Sequence, residues 1–161
     1  MTEQLSSADV AKHVRETLKL VQLGDDPAGI QNGLEFYKFF FTNYPTLRTY
    51  FKGAQEYTAD DIQKSERFEK QGQRLLLAVY ILANTFEDEG AFRAYARETV
   101  NRHRQFKMDP ALWSAFFAVY IQFLKTRGSL TSAQEQAWKQ MGEVFDSECQ
   151  KHLAVLGLPH V

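Results

Sequence analysis

One cysteine, Cys149, stands in 161 residues, so neither an intramolecular disulfide nor a cysteine-pair metal site can form. There is no Asn-x-Ser/Thr acceptor either, and both absences fit a reducing cytosol. No stretch nears the roughly 20 consecutive apolar residues that a spanning helix needs. The polar start Met1-Thr2-Glu3-Gln4 has neither the basic nor the apolar region of a secretory leader. A soluble, cytoplasmic protein off the membrane is therefore expected. Charge of one sign is not in excess, since 19 Lys+Arg against 20 Asp+Glu leave a formal net charge of −1. Such a balance supplies no general field for nucleic acid or anionic lipid. Also missing are His-Glu-x-x-His, Gly-x-Gly-x-x-Gly, a Walker-type loop and Gly-x-Ser-x-Gly, so the common hydrolase and nucleotide-dependent chemistries have no foothold.

Aromatic residues are plentiful: 13 Phe, 7 Tyr and 2 Trp, enough to bury one substantial core. A single domain over residues 1–161 is expected. Glycine (9) and proline (4) are sparse and punctuate segments whose apolar residues recur every three or four positions, the pattern of amphipathic helices. A first helix is expected from Ser6 or Ser7 to Val21, closed by Gly24-Asp25-Asp26-Pro27, and a second through Ile30, Leu34, Tyr37 and Phe41. Pro45 interrupts the aromatic run Phe39 to Phe51 and predicts a corner. Thr58 and Asp61 are spaced as a capping box for a short helix, after which a long one carries Phe68, Gly72, Leu75, Leu76, Val79, Ala83 and Phe86. The next, Glu87 to Arg104, aligns Phe92, Tyr95, Ala96, Thr99, Val100 and His103. Asp109-Pro110 reads as a cap plus first helical position for a helix that Gly128 ends. Thr131 with Gln134 opens the last, which carries Trp138, Met141, Phe145, Cys149, Leu153 and Leu156. The expected class is all-α, with seven to eight helices and no repeat.

Of the four histidines, at 13, 103, 152 and 160, only His103 lies on an apolar helical face, between Arg102 and Arg104. A histidine there suits the negative end of a helix dipole as well as it suits a metal, so the residue alone leaves both readings open. His13, His152 and His160 are expected to face solvent, and Cys149 to be packing rather than chemistry.

The spacings go further. Tyr37 precedes Pro45 by eight residues, Phe51 follows it by six, and His103 follows Gln71 by 32. Together with Lys70-Gln71-Gly72-Gln73-Arg74 and Lys107-Met108-Asp109-Pro110-Ala111-Leu112-Trp113, these make the whole chain resemble the globins, in particular the nematode myoglobin-like globins. The resemblance implies a globin fold around haem b. The group would be held without a covalent bond, in keeping with the missing Cys-x-x-Cys-His. It implies His103 as the proximal ligand of the iron, Phe51 stacked on the ring, and Tyr37 and Gln71 as distal side chains beside bound dioxygen. Leu75 and Met108 become further ring contacts, and Arg74 and Lys107 the preferred partners of the propionates, ahead of Arg102 and Arg104. Thr99 lies one turn before His103, so its backbone carbonyl or its hydroxyl is the candidate for orienting the ring; many relatives carry a small hydroxyl residue immediately before the proximal histidine, where this chain departs with Arg102.

The resemblance further implies reversible binding of dioxygen and other small diatomic gases, for intracellular storage or facilitated diffusion. Tyr37 and Gln71, as two hydrogen-bond donors, would favour tight binding and slow release. An oxygen binder rather than an enzyme is expected. Nitric oxide oxidation or other haem redox chemistry is the alternative, and it would need a separate reductase, because no nucleotide motif is present. A haem-free helical interaction module or sensor is a third reading. The sequence does not fix the oligomeric state and leaves a monomer or a homodimer open.

Overall fold

Seven α-helices and three 3-10 turns organise the computed structural model, which describes residues 4–161; no strand occurs among them. The α-helices are α1 Ser7–Thr17, α2 Pro27–Asn43, α3 Ala59–Gln63, α4 Glu66–Thr85, α5 Glu89–His103, α6 Leu112–Arg127 and α7 Ser132–Val155. Counting the six-residue 3-10 turn Pro45–Tyr50 as a helix of its own gives the eighth. By contacts the chain forms two compact units, Lys19–Tyr80 and Met1–Leu18 with Ile81–Val161, and the division falls inside α4.

In the unit Lys19–Tyr80, α2 starts where the Asp26 carboxylate accepts from Gly29 N at 2.8 Å, with Pro27 at the first helical position where its missing N–H is harmless. It stops at Asn43 because Tyr44 leaves helical geometry ahead of Pro45. The Arg48 guanidinium then donates from Nε and Nη2 to the Phe41 carbonyl, at 3.0 and 2.7 Å, satisfying one of the acceptors a helix end leaves open. The expected Thr58 capping box is present: Asp61 N donates to Thr58 Oγ1 and Thr58 N to Asp61 Oδ2.

Gly33 of α2 and Gly72 of α4 touch backbone to backbone. A Cβ on Gly72 would lie 2.5 Å from the Gly33 carbonyl carbon, and one on Gly33 would lie 2.7 Å from that of Gly72. Glycine inside a helix costs about 0.5–1 kcal/mol relative to alanine, so propensity alone favours replacing it. Overpacking costs about 1–3 kcal/mol, and here the obstacle is rigid backbone rather than a side chain that can turn away. The packing effect wins: Gly72→Ala is expected to lose about 1–2 kcal/mol of stability in urea titration despite its gain in helix propensity.

In the unit that contains the chain ends, α7 packs on α1, α5 and α6. The Thr131–Gln134 capping box starts α7 as expected. Trp138, fully buried, gives its indole proton to Thr17 Oγ1 at 2.9 Å, and that hydroxyl donates to the Val14 carbonyl at 2.7 Å, so a buried polar pair is fully used. Gly142 lets Phe117 of α6 sit on α7, where a Cβ would meet its ring at 2.8 Å. Glu148 of α7, nearly buried, takes Arg97 at 2.7 Å and Arg93 at 3.5 Å, both from α5. Two cations on one buried carboxylate offset the desolvation that would otherwise disfavour it.

Several boundaries differ from the sequence expectation. The first helix ends at Thr17 and tightens into a 3-10 turn at Leu18–Leu20, leaving Val21 outside any helix, though buried. Phe86 falls just past α4 yet remains buried, edge-on to Phe92 at 5.1 Å. Helix α5 begins at Glu89 because the Asp88 carboxylate accepts from Ala91 N and so takes the cap. It ends at His103, since Arg104 opens a 3-10 turn. Asp109-Pro110 is not the cap of α6. Leu112 N and Trp113 N bond three residues back to Asp109 and Pro110, and the first four-residue bond runs from Ala115 N to Ala111 O.

Candidate functional site

His103 is the last residue of α5, and its Nδ1 lies 2.7 Å from the Thr99 carbonyl, one turn earlier. A carbonyl oxygen can only accept, so Nδ1 carries the proton. In a neutral imidazole Nε2 must then hold the lone pair. Thr99 therefore orients the ring through its backbone, while its hydroxyl is spent on the Tyr95 carbonyl at 2.8 Å. Burial pushes the His103 pKa below its ordinary value. The Thr99 bond opposes that shift and the nearby Arg102 charge reinforces it. The ring is accordingly a neutral base at physiological pH.

Two aromatic rings that the sequence did not single out flank the imidazole. Trp113, at the start of α6, meets it edge-to-face at 5.4 Å and 73°, and Phe106 at 5.7 Å and 68°. Trp113 is ten residues away across a proline turn, a relation that no periodicity reveals. Of the cations near His103, Arg102 turns to the Tyr95 ring, 5.6 Å from its centroid, and to Glu98. Arg104 and Lys107 are exposed, Met108 is half-buried, and Lys107 alone among described non-glycine residues has a left-handed backbone, with φ of 50°.

The distal candidates lie in the other unit. Tyr37 of α2 is 4% exposed and stands in a cage of rings: Phe36, Phe40, Phe51 and Phe68 surround it at centroid distances from 5.2 to 6.2 Å. Burial pushes its hydroxyl up to about 12, against the opposing effect of a hydrogen bond with the Gln71 side chain. A hydroxyl raised that far keeps its proton throughout the physiological range. The structure thus brings Tyr37, Gln71 and Phe51 together. Leu75 and Arg74 follow Gln71 on α4, the former half-buried and the latter exposed.

The other histidines are less exposed than expected. His13 and His152 are half-buried, His13 bonding to Glu16 at 2.8 Å and His152 to Asn101 at 2.7 Å; His160 alone is exposed. Cys149 is fully buried. Burial and the neighbouring Asp146 and Glu148 raise its thiol pKa, consistent with packing.

The chain is thus all-helical among the described residues, with a neutral, oriented histidine at the end of α5 in one unit and a protonated tyrosine beside a glutamine in the other. The globin family model matches residues 34–149, and the chain belongs to that family. It is 55% identical over 139 residues to a globin-like protein of Caenorhabditis elegans, covering 86% of this chain and 87% of that one. A myoglobin of Nippostrongylus brasiliensis is 53% identical over 154 residues, covering 96% and 99%. Among solved structures, the C. elegans globin-like protein GLB-1 superposes with a TM-score of 0.96 at 49% identity, covering 98% of this chain and 100% of that one.

Proposed function

We propose that the chain acts as a single globin domain, residues 1–161, that holds haem b without a covalent bond and takes dioxygen and other small diatomic gases reversibly. Storage or facilitated diffusion in the cytoplasm is the role this reading assigns; among the described residues no helix is long and apolar enough to cross a membrane. The observation that carries it is the 2.7 Å bond between His103 Nδ1 and the Thr99 carbonyl. That bond directs the lone pair to Nε2 in a ring that burial keeps neutral, which is the donor a haem iron takes.

The group, when bound, supplies a ferrous iron that takes a gas and releases it. His103 would hold the iron, while Phe51, Leu75 and Met108 offer apolar contact to the ring, and Arg74 and Lys107 offer cations to the propionates. Tyr37 stays protonated through the whole physiological range, so its hydroxyl donates, and the Gln71 amide is a second donor. Two donors favour a gas that gathers negative charge on binding, dioxygen, over neutral carbon monoxide. The relative from N. brasiliensis is itself a myoglobin, which supports the reading. An absorption spectrum of the full chain tests it, taken after reconstitution with haemin and reduction, before and after air. A five-coordinate ferrous spectrum that converts to a persistent oxygenated one is expected; a chain that stays colourless overturns the reading.

A further inference from the structure

The Thr99 carbonyl fixes the tautomer of His103 and one of its atoms, but a single hydrogen bond leaves the ring free to pivot, and χ2 of histidine is a broad, soft torsion. Something else must set the plane of the imidazole. Two rings touch it, and they differ in firmness. Phe106 is 44% exposed and sits in a three-residue 3-10 turn, so it is a yielding neighbour. Trp113 is 7% exposed and backed by Phe145 at 6.0 Å, which in turn rests on Phe117 at 5.3 Å. The corner that presents Trp113 is also pinned: the Pro110 carbonyl accepts from Gln150 Nε2 of α7 at 2.8 Å and from Trp113 N at 3.3 Å.

We propose that Trp113 is a positioning residue whose indole holds the plane of the His103 imidazole, so that Nε2 is presented in one orientation. The inference rests on the reading of His103 as the iron ligand, although the contact itself lies wholly within this chain. The wall is aromatic for a reason. An edge-to-face pair has a preferred angle, here 73°, whereas an aliphatic side chain of similar bulk would exclude water without resisting rotation.

The test compares Trp113→Leu, Trp113→Phe and Phe117→Leu in the full chain carrying haemin. The last is a core truncation beside Phe145 that does not touch His103. In the reduced, gas-free protein, Trp113→Leu is expected to shift and broaden the iron–histidine stretching band and to speed haemin loss roughly three- to tenfold, the order that one lost aromatic pair supplies. Trp113→Phe should keep the band in place. Phe117→Leu, which loosens only the support behind Phe145, should move the band much less than Trp113→Leu even where urea titration shows comparable lost stability. Should the leucine variant not fold, Trp113→Met fills more of the volume without a ring and takes its place. A leucine or methionine variant with wild-type band and haemin loss overturns the proposal. If the wild type shows no such band and His103→Gly keeps its haemin, the ligand reading has failed instead. Trp113 is then decided in the haemin-free chain by side-chain relaxation of the His103 ring, which reads its rotational freedom. A His103 ring that is rigid in the wild type and becomes mobile in Trp113→Leu sustains positioning; identical ring order parameters reject it.

Discussion

Replacing His103 by glycine is expected to weaken haemin retention by more than about a hundredfold. Loss of a partner that merely orients a metal ligand already costs about 10–100-fold in affinity, and this change removes the ligand itself. Glycine also leaves a space the size of the ring, lined by Trp113 and Phe106 and facing the Thr99 carbonyl. Free imidazole is therefore expected to restore a five-coordinate ferrous spectrum at millimolar concentration, which an indirect effect on folding would not allow. Haemin transfer to an acceptor protein, followed by its absorbance with and without imidazole, measures both. Wild-type retention by the glycine variant would remove His103 from the site.

Tyr37→Phe is the second large effect. The hydroxyl is the only polar atom in a side chain otherwise packed among rings, so phenylalanine preserves the cage and deletes one donor. A hydrogen bond to a charged acceptor is worth about 1.5–3 kcal/mol, so oxygen dissociation is expected to accelerate roughly 10- to 150-fold. Carbon monoxide dissociation should change far less, because that ligand gathers little charge. Gln71 is hydrogen-bonded to the same hydroxyl, so a double-mutant cycle with Gln71→Leu should be strongly non-additive. Stopped-flow mixing of the oxygenated protein with dithionite reads the rates, and an unchanged oxygen off-rate in Tyr37→Phe would assign the hydroxyl a purely structural part.

Much of this architecture is legible in the sequence because helices announce themselves locally. The capping boxes at Thr58 and Thr131 satisfy their own backbone donors within three residues, and both are present as expected. The corner at Pro45 follows from a missing N–H. Boundaries set by competition are harder to read: Asp88 displaces Glu87 from the start of α5, and Asp109 is held in a turn two residues ahead of the cap position, Ala111. At the candidate site, Thr99 was reachable because it lies one helical turn from His103, whereas Trp113 and Phe106 were not, since contact across a corner depends on the path of the backbone. The Gly33–Gly72 approach was hidden for the same reason: Gly72 read as one more residue on an apolar face, and nothing in the spacing names its partner.

The burial of Cys149 has a practical outcome for a protein proposed to carry dioxygen. With its only sulfhydryl sealed between α5 and α7 and held in the un-ionised form, the folded chain offers no thiolate to peroxide, glutathione or another copy of itself. Any pairing of two copies must then be non-covalent, and the protein tolerates oxidising buffers without crosslinking for as long as α7 stays seated.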